Sequence, residues 1–191
     1  MRGRDLHARN TATSWGWVAR GLHWAVAALV IFQLGLGVSM VRLVSDPLRQ
    51  FPLYQTHKSW GFVIFALVSA RLGWRLLNRA PADPPAMPRW QRRAAHATHG
   101  LLYALLLALP LSGWVSASAS PTQDLFGIPN MVFDWFALPD PWVPGDARLA
   151  DLAAWAHTAA AVALVLLLAP HVGGAVSHRR DGVLARMTFG R

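Results

Sequence analysis

Four apolar stretches, each long enough to cross a lipid bilayer, leave this chain few ways to fold. They run over about 21–40, 57–77, 94–115 and 151–176. About 20 helical residues, rising 1.5 Å each, span a hydrocarbon core about 30 Å thick. Apolar residues surround the axis of each stretch rather than forming one stripe, as contact with lipid requires. Charged residues make up only 14% of the chain, against about a quarter in soluble domains. The expected fold class is therefore all-α, an integral membrane four-helix bundle forming a single transmembrane domain over 1–191. The first stretch follows a basic lead-in, as a secretory signal does. Its apolar run is too long for a signal core and no small-residue cleavage site follows, so it is expected to be retained.

A net charge of +9 would suit a nucleic-acid partner only if it formed a basic face or accompanied a recognition motif. It does neither; the basic residues lie in short patches between the apolar runs. Arg2, Arg4, Arg9 and Arg20 precede the first span, Arg71, Arg75, Arg79, Arg89, Arg92 and Arg93 border the second connection, and Arg179, Arg180, Arg186 and Arg191 close the chain. Those fourteen face one side, against Arg42, Arg49, Lys58 and Arg148 on the other. The excess of positive charge on cytoplasmic segments places both termini in the cytoplasm. The longest connection, 116–150, lies outside. Pro121, Pro129, Pro139, Pro141 and Pro144 forbid a long helix there. Phe126, Phe133, Trp135, Phe136 and Trp142 suit the headgroup boundary. Two readings of it stay open, an interfacial loop and a lid over an outer cofactor.

Six of the eight histidines fall in or at the edges of the spans: His23, His57, His96, His99, His157 and His171. Ionisable side chains at membrane depth are costly and mark function by default. The chain has no Cys and no Glu, which excludes thiolate sites and iron–sulfur clusters. His157 and His171 are 14 residues apart, about 21 Å along a helix and about 40° in azimuth. One helix thus offers two imidazoles on one face at different depths. His57 opens the second span, at the depth of His157, so sidedness pairs these two at the outer level. His171 shares the inner level with His23, His96 and His99, and depth does not choose among them. Gly37 and Gly61 offer close approach for a flat cofactor. Arg71, 14 residues after His57, brings a guanidinium to the inner level, where it can meet a propionate or simply snorkel. Opposed histidines without carboxylates favour haem iron. Two axial histidines suit electron transfer rather than oxygen binding.

The ordered motifs W-x-x-R-G-L-H-W at His23, H-K-S-W-G-F at His57 with R-L-G-W-R-L after it, H-G-L-L-Y-A-L-L-L-A-L-P-L-S-G-W from His99, W-A-H at His157 and A-P-H at His171 resemble the bacterial cytochrome b-561 family. The resemblance implies two haem b groups, His23 and His171 ligating the inner one and His57 and His157 the outer one. It leaves His96 and His99 as non-ligands, near a propionate or a quinone. It also implies the bacterial inner membrane, and an activity similar to superoxide:quinone oxidoreductases, with an outer donor and quinone as acceptor. Related cytochromes serve instead as quinone-linked anchor subunits of a dehydrogenase or hydrogenase. A histidine-based metal transporter is a more distant alternative, weakened by the lack of Glu and of intramembrane Asp. An anionic donor such as superoxide gains from a positive field. The outer connections sum to −2, four basic residues against Asp46, Asp124, Asp134, Asp140, Asp146 and Asp151, although Lys58, Arg42 and Arg49 near His57 leave a local positive funnel open.

Overall fold

The computed structural model describes residues 7–84, 87–142 and 145–188; Arg2, Arg4, Pro144 and Arg191, used above, lie outside them. Four helices are long and apolar enough to cross a membrane: α1 (Trp17–Val38), extended by a π-helical turn at Ser39–Leu43, α2 (Pro47–Leu77), α3 (Arg89–Ser118) and α5 (Ala147–Ser177). Between α3 and α5 lie a short helix α4 (Pro121–Leu125) and a hairpin of β1 (Asn130–Val132) and β2 (Phe136–Leu138); α6 (Val183–Thr188) ends the chain. The chain is thus an all-α membrane bundle, as expected.

The helices overrun the apolar stretches, although α2 does so at its start only and ends at Leu77 as expected. α2 begins ten residues before the expected 57, because helix signals rather than hydropathy start it. Asp46 accepts from the Leu48 backbone N–H at 3.0 Å and Pro47 occupies the first turn, where its missing N–H costs nothing. Asp146 caps α5 in the same way through Leu149 N–H at 3.0 Å. Helices of 30 and 31 residues reach about 45 Å, which carries their ends into the headgroup region.

α3 and α5 pack most extensively, α1 lies against α2 and α2 against α3, while the backbone of α5 scarcely approaches α1 or α2. The buried core is one aliphatic layer of Val26 and Val30 from α1, Ile64 and Val68 from α2, Leu102 and Leu106 from α3, and Leu164 from α5. Val30, Ile64, Leu106 and Leu164 lie seven residues from the histidines of their helices, midway between the two levels, while Val26, Val68 and Leu102 extend the core towards His23, Arg71 and His99. Ile31, Val162 and Leu166 are among the large apolar side chains left exposed on the rest of the surface, as lipid-facing positions should be.

At the end of the bundle bearing the termini, Trp24 Nε1 donates to Met187 O at 3.0 Å and Arg20 to Thr188 O at 3.1 Å, which ties α6 to α1. At the opposite end the long connection is folded, and α4 and the hairpin pack as a lid on the ends of α2 and α3. β1 and β2 pair antiparallel, Asn130 opposite Leu138 and Val132 opposite Phe136. Phe133 turns the hairpin with φ 46°, a conformation unfavourable to a bulky side chain. Its N–H donates to Ser59 Oγ at 2.7 Å and its ring meets Trp60 edge-on at 5.4 Å, contacts that hold it there.

Candidate functional site

The two histidine levels of α5 each meet a partner across the gap that separates α5 from α1 and α2. At the hairpin end, His57 of α2 faces His157, with ring centres 6.1 Å apart and planes rotated by 72°. At the terminal end, His23 of α1 faces His171, again at 6.1 Å, with planes rotated by 66°. One metal ion between two imidazoles, bonded to each at about 2.0–2.1 Å, would set ring centres about 6 Å apart. Both pairs therefore stand at the spacing that axial ligands of a shared iron need. Among the described residues no group of three or more His, Cys, Asp or Glu side chains is placed to hold one metal ion. The arrangement offers opposed pairs instead.

His157 is the most firmly oriented of the four. Its Nδ1 lies 2.8 Å from Leu109 O and 3.3 Å from Ser112 Oγ. The carbonyl can only accept, so Nδ1 carries the proton and the lone pair of Nε2 is free for a metal. A ligating histidine commonly anchors its second nitrogen in this way. Glycines lie against both rings at this level. A Cβ on Gly113 would stand 3.2 Å from His157 Cε1 and Nδ1, and one on Gly37 would stand 3.5 Å from His57 Cε1. Nδ1 of His57 and of His23 is buried without a hydrogen-bond partner, so these rings rely on packing, or on what they ligate, for their orientation.

Gly61 faces the Gln33 amide: a Cβ there would stand in ordinary contact, 3.6 Å from Nε2, which donates to His57 O at 2.6 Å. Arg71 stands over the Tyr103 ring at 5.2 Å from its centre, and Arg75 shares the same ring at 5.8 Å. Arg71 lies within electrostatic reach of His23, His99 and His171. The two remaining span histidines separate. His96 is exposed and lies 3.4 Å from Asp83, which also pairs with Arg92. His99 packs edge-on against His171, with ring centres 5.3 Å apart.

The fourteen-residue interval noted in α5 recurs in every long helix: His23 and Gly37 in α1, His57 and Arg71 in α2, His99 and Gly113 in α3, His157 and His171 in α5. Each helix gives one residue to each level. Gly113 escaped the sequence reading, although its interval from His99 was the signal that would have found it. Ser112 and the Leu109 carbonyl had no such signal, since a backbone acceptor is chosen by packing.

Beside the hairpin-end pair, Lys58 Nζ donates to Asn130 Oδ1 at 3.3 Å and to Gln123 Oε1 at 3.5 Å. Asn130, 1% exposed, donates in turn to Ser118 Oγ and Asp140 Oδ1 at 2.9 and 2.6 Å. This network fastens the lid to α2 and α3 within one turn of His57.

Helices that cross a membrane, with histidine pairs opposed across a gap at two depths, fit a membrane-bound b-type cytochrome. The chain belongs to the prokaryotic cytochrome b561 family, whose match covers residues 14–190. It is 31% identical over 181 residues to cytochrome b561 homolog 2 of Escherichia coli (strain K12), covering 93% of each chain. To cytochrome b561 homolog 1 of the same organism it is 29% identical over 136 residues, covering 70% of this chain and 73% of that one. As a member of this family it is a bacterial membrane cytochrome that binds haem b and transfers electrons.

Proposed function

We propose that the chain holds two haem b groups, one between His57 and His157 and one between His23 and His171, and carries electrons across the bacterial inner membrane to quinone. The observation that carries this reading is the repeated 6.1 Å ring spacing at two levels, each across a helix gap. Bound haem would supply a one-electron couple, with His57 and His157 holding one group and His23 and His171 the other. His157 offers Nε2 because Leu109 O holds its Nδ1 proton. Arg71 gives a cation to the terminal-end level, where a haem propionate needs one. The aliphatic layer between the levels excludes water from the path. The charge asymmetry supports a reading with the termini in the cytoplasm and the hairpin end facing the donor.

Superoxide is the donor that the family resemblance implies. In this structure Lys58 is engaged by Asn130 and Gln123, and Arg49 pairs with Asp46 at 3.5 Å. Lys58 keeps its charge on the neutral Asn130 and Gln123 oxygens, and we read the donor more generally as a one-electron reductant arriving at the hairpin end. The exposed aromatic side chains there, Phe126, Trp135, Phe136 and Trp142, favour the second reading, an anchor subunit that docks a redox partner. Co-purification separates the two.

The testing experiment is a dithionite-reduced minus oxidised visible spectrum with haem quantified per chain. Two low-spin b haems per polypeptide are expected. A protein that stays colourless after expression with ample haem would overturn the reading.

A further inference from the structure

The two axial partners of the hairpin-end level differ in how they are held, and the difference lies in α3. An imidazole can reach a helical carbonyl only if no side chain stands between ring and backbone. Along the face of α3 that meets His157, Gly113 provides that opening: the ring sits where a Cβ would come within 3.2 Å of two of its atoms. The ring is thereby close enough for its Nδ1–H to bond Leu109 O at 2.8 Å. That carbonyl also accepts from Ser112 Oγ at 2.9 Å. His57 packs on Gly37 more loosely, at 3.5 Å, and its buried Nδ1 has no partner.

We propose that Gly113 is a positioning residue for electron transfer: it admits His157 to the Leu109 carbonyl, and the resulting hydrogen bond lowers the potential of the hairpin-end haem. A donated Nδ1 proton leaves more electron density on Nε2, and a more basic ligand favours ferric over ferrous iron. The effect acts on one level only, because Leu109 O serves one histidine. This inference rests on the two-haem reading of the site.

The test is a spectroelectrochemical titration of the haem-loaded protein, with His157→Ala marking which transition belongs to the hairpin end. In Gly113→Ala the added methyl displaces the ring and weakens the bond. The ferric/ferrous ratio of that haem at a fixed applied potential should fall about tenfold, a rise of about 59 mV for one electron, while the other haem stays put. Gly37→Ala adds the same methyl against the opposite ligand, where ordinary contact remains, and should shift the potential much less. Ser112→Ala removes the longer contact and keeps the Leu109 bond, so it too should shift little. If Gly113→Ala sheds the haem while Gly37→Ala retains it, the positioning role stands. Equal behaviour of the two glycine variants, or equal shifts of both haems, would overturn it. A wild-type protein without two low-spin haems, or a His157→Ala variant that keeps both, would instead refute the two-haem reading, whatever Gly113 does.

Discussion

The hairpin-end and terminal-end levels are built on the same plan and filled differently. Each takes one residue from every long helix. At the hairpin end these are two histidines and two glycines, His57, His157, Gly37 and Gly113, and the glycines pack on the imidazoles. At the terminal end they are three histidines and an arginine, His23, His99, His171 and Arg71. The first set admits one pairing, reinforced by a hydrogen bond and a fastened lid. The second is crowded, because His171 has His23 at 6.1 Å and His99 at 5.3 Å. The lesson is that glycine shapes this level as much as histidine does: Gly113 lets the His157 ring reach the backbone, and neither glycine adds a competing donor.

The contrast is open to direct attack. His157→Ala should remove one of two haems and leave the other's absorbance largely intact; loss of both from a folded, membrane-inserted variant would mean the levels are not independent. The crowded level is resolved by comparing His23→Ala with His99→Ala. Haem quantification should show one haem lost in the former and both kept in the latter, and the reverse pattern would reassign the ligand. Asn130→Ala leaves the half-buried Lys58 and the buried Ser118 short of a partner. It should destabilise the lid by about 1–3 kcal/mol, read as a lower thermal midpoint and faster loss of the hairpin-end haem band. The smallest effect is expected from Arg71→Leu, a potential shift at the terminal-end haem exceeding that at the hairpin end, and potentiometric titration reporting the opposite order would remove Arg71 from the propionate site.

Much of this was legible from spacing. The four spans follow from apolar length alone, and the His57–His157 juxtaposition follows from sidedness and the interval within α5. Helix ends were not legible from hydropathy, because the first ten residues of α2 are mixed in polarity and are held by the Asp46 cap. The long connection's prolines and aromatics favoured an interfacial loop. Its folded packing on α2 and α3 hangs on the buried Asn130, whose partners are distant in sequence and invisible to any local pattern. His99 likewise shared its depth with His96, and only the rotation of α3 turned one towards His171 and the other towards Asp83.

The aliphatic layer formed by Val26, Val30, Ile64, Val68, Leu102, Leu106 and Leu164 has an electrical consequence. A dry, apolar slab between two redox centres is where much of the membrane voltage must drop, as across the gap of a capacitor. Moving one elementary charge through the whole field is worth about 2.3 kcal/mol per 100 mV. On the two-haem reading, a hop between the levels takes up a share of that work set by their separation in depth. An energised membrane, negative within, would then oppose electrons moving inward, and the rate of this cytochrome would fall as the voltage rose.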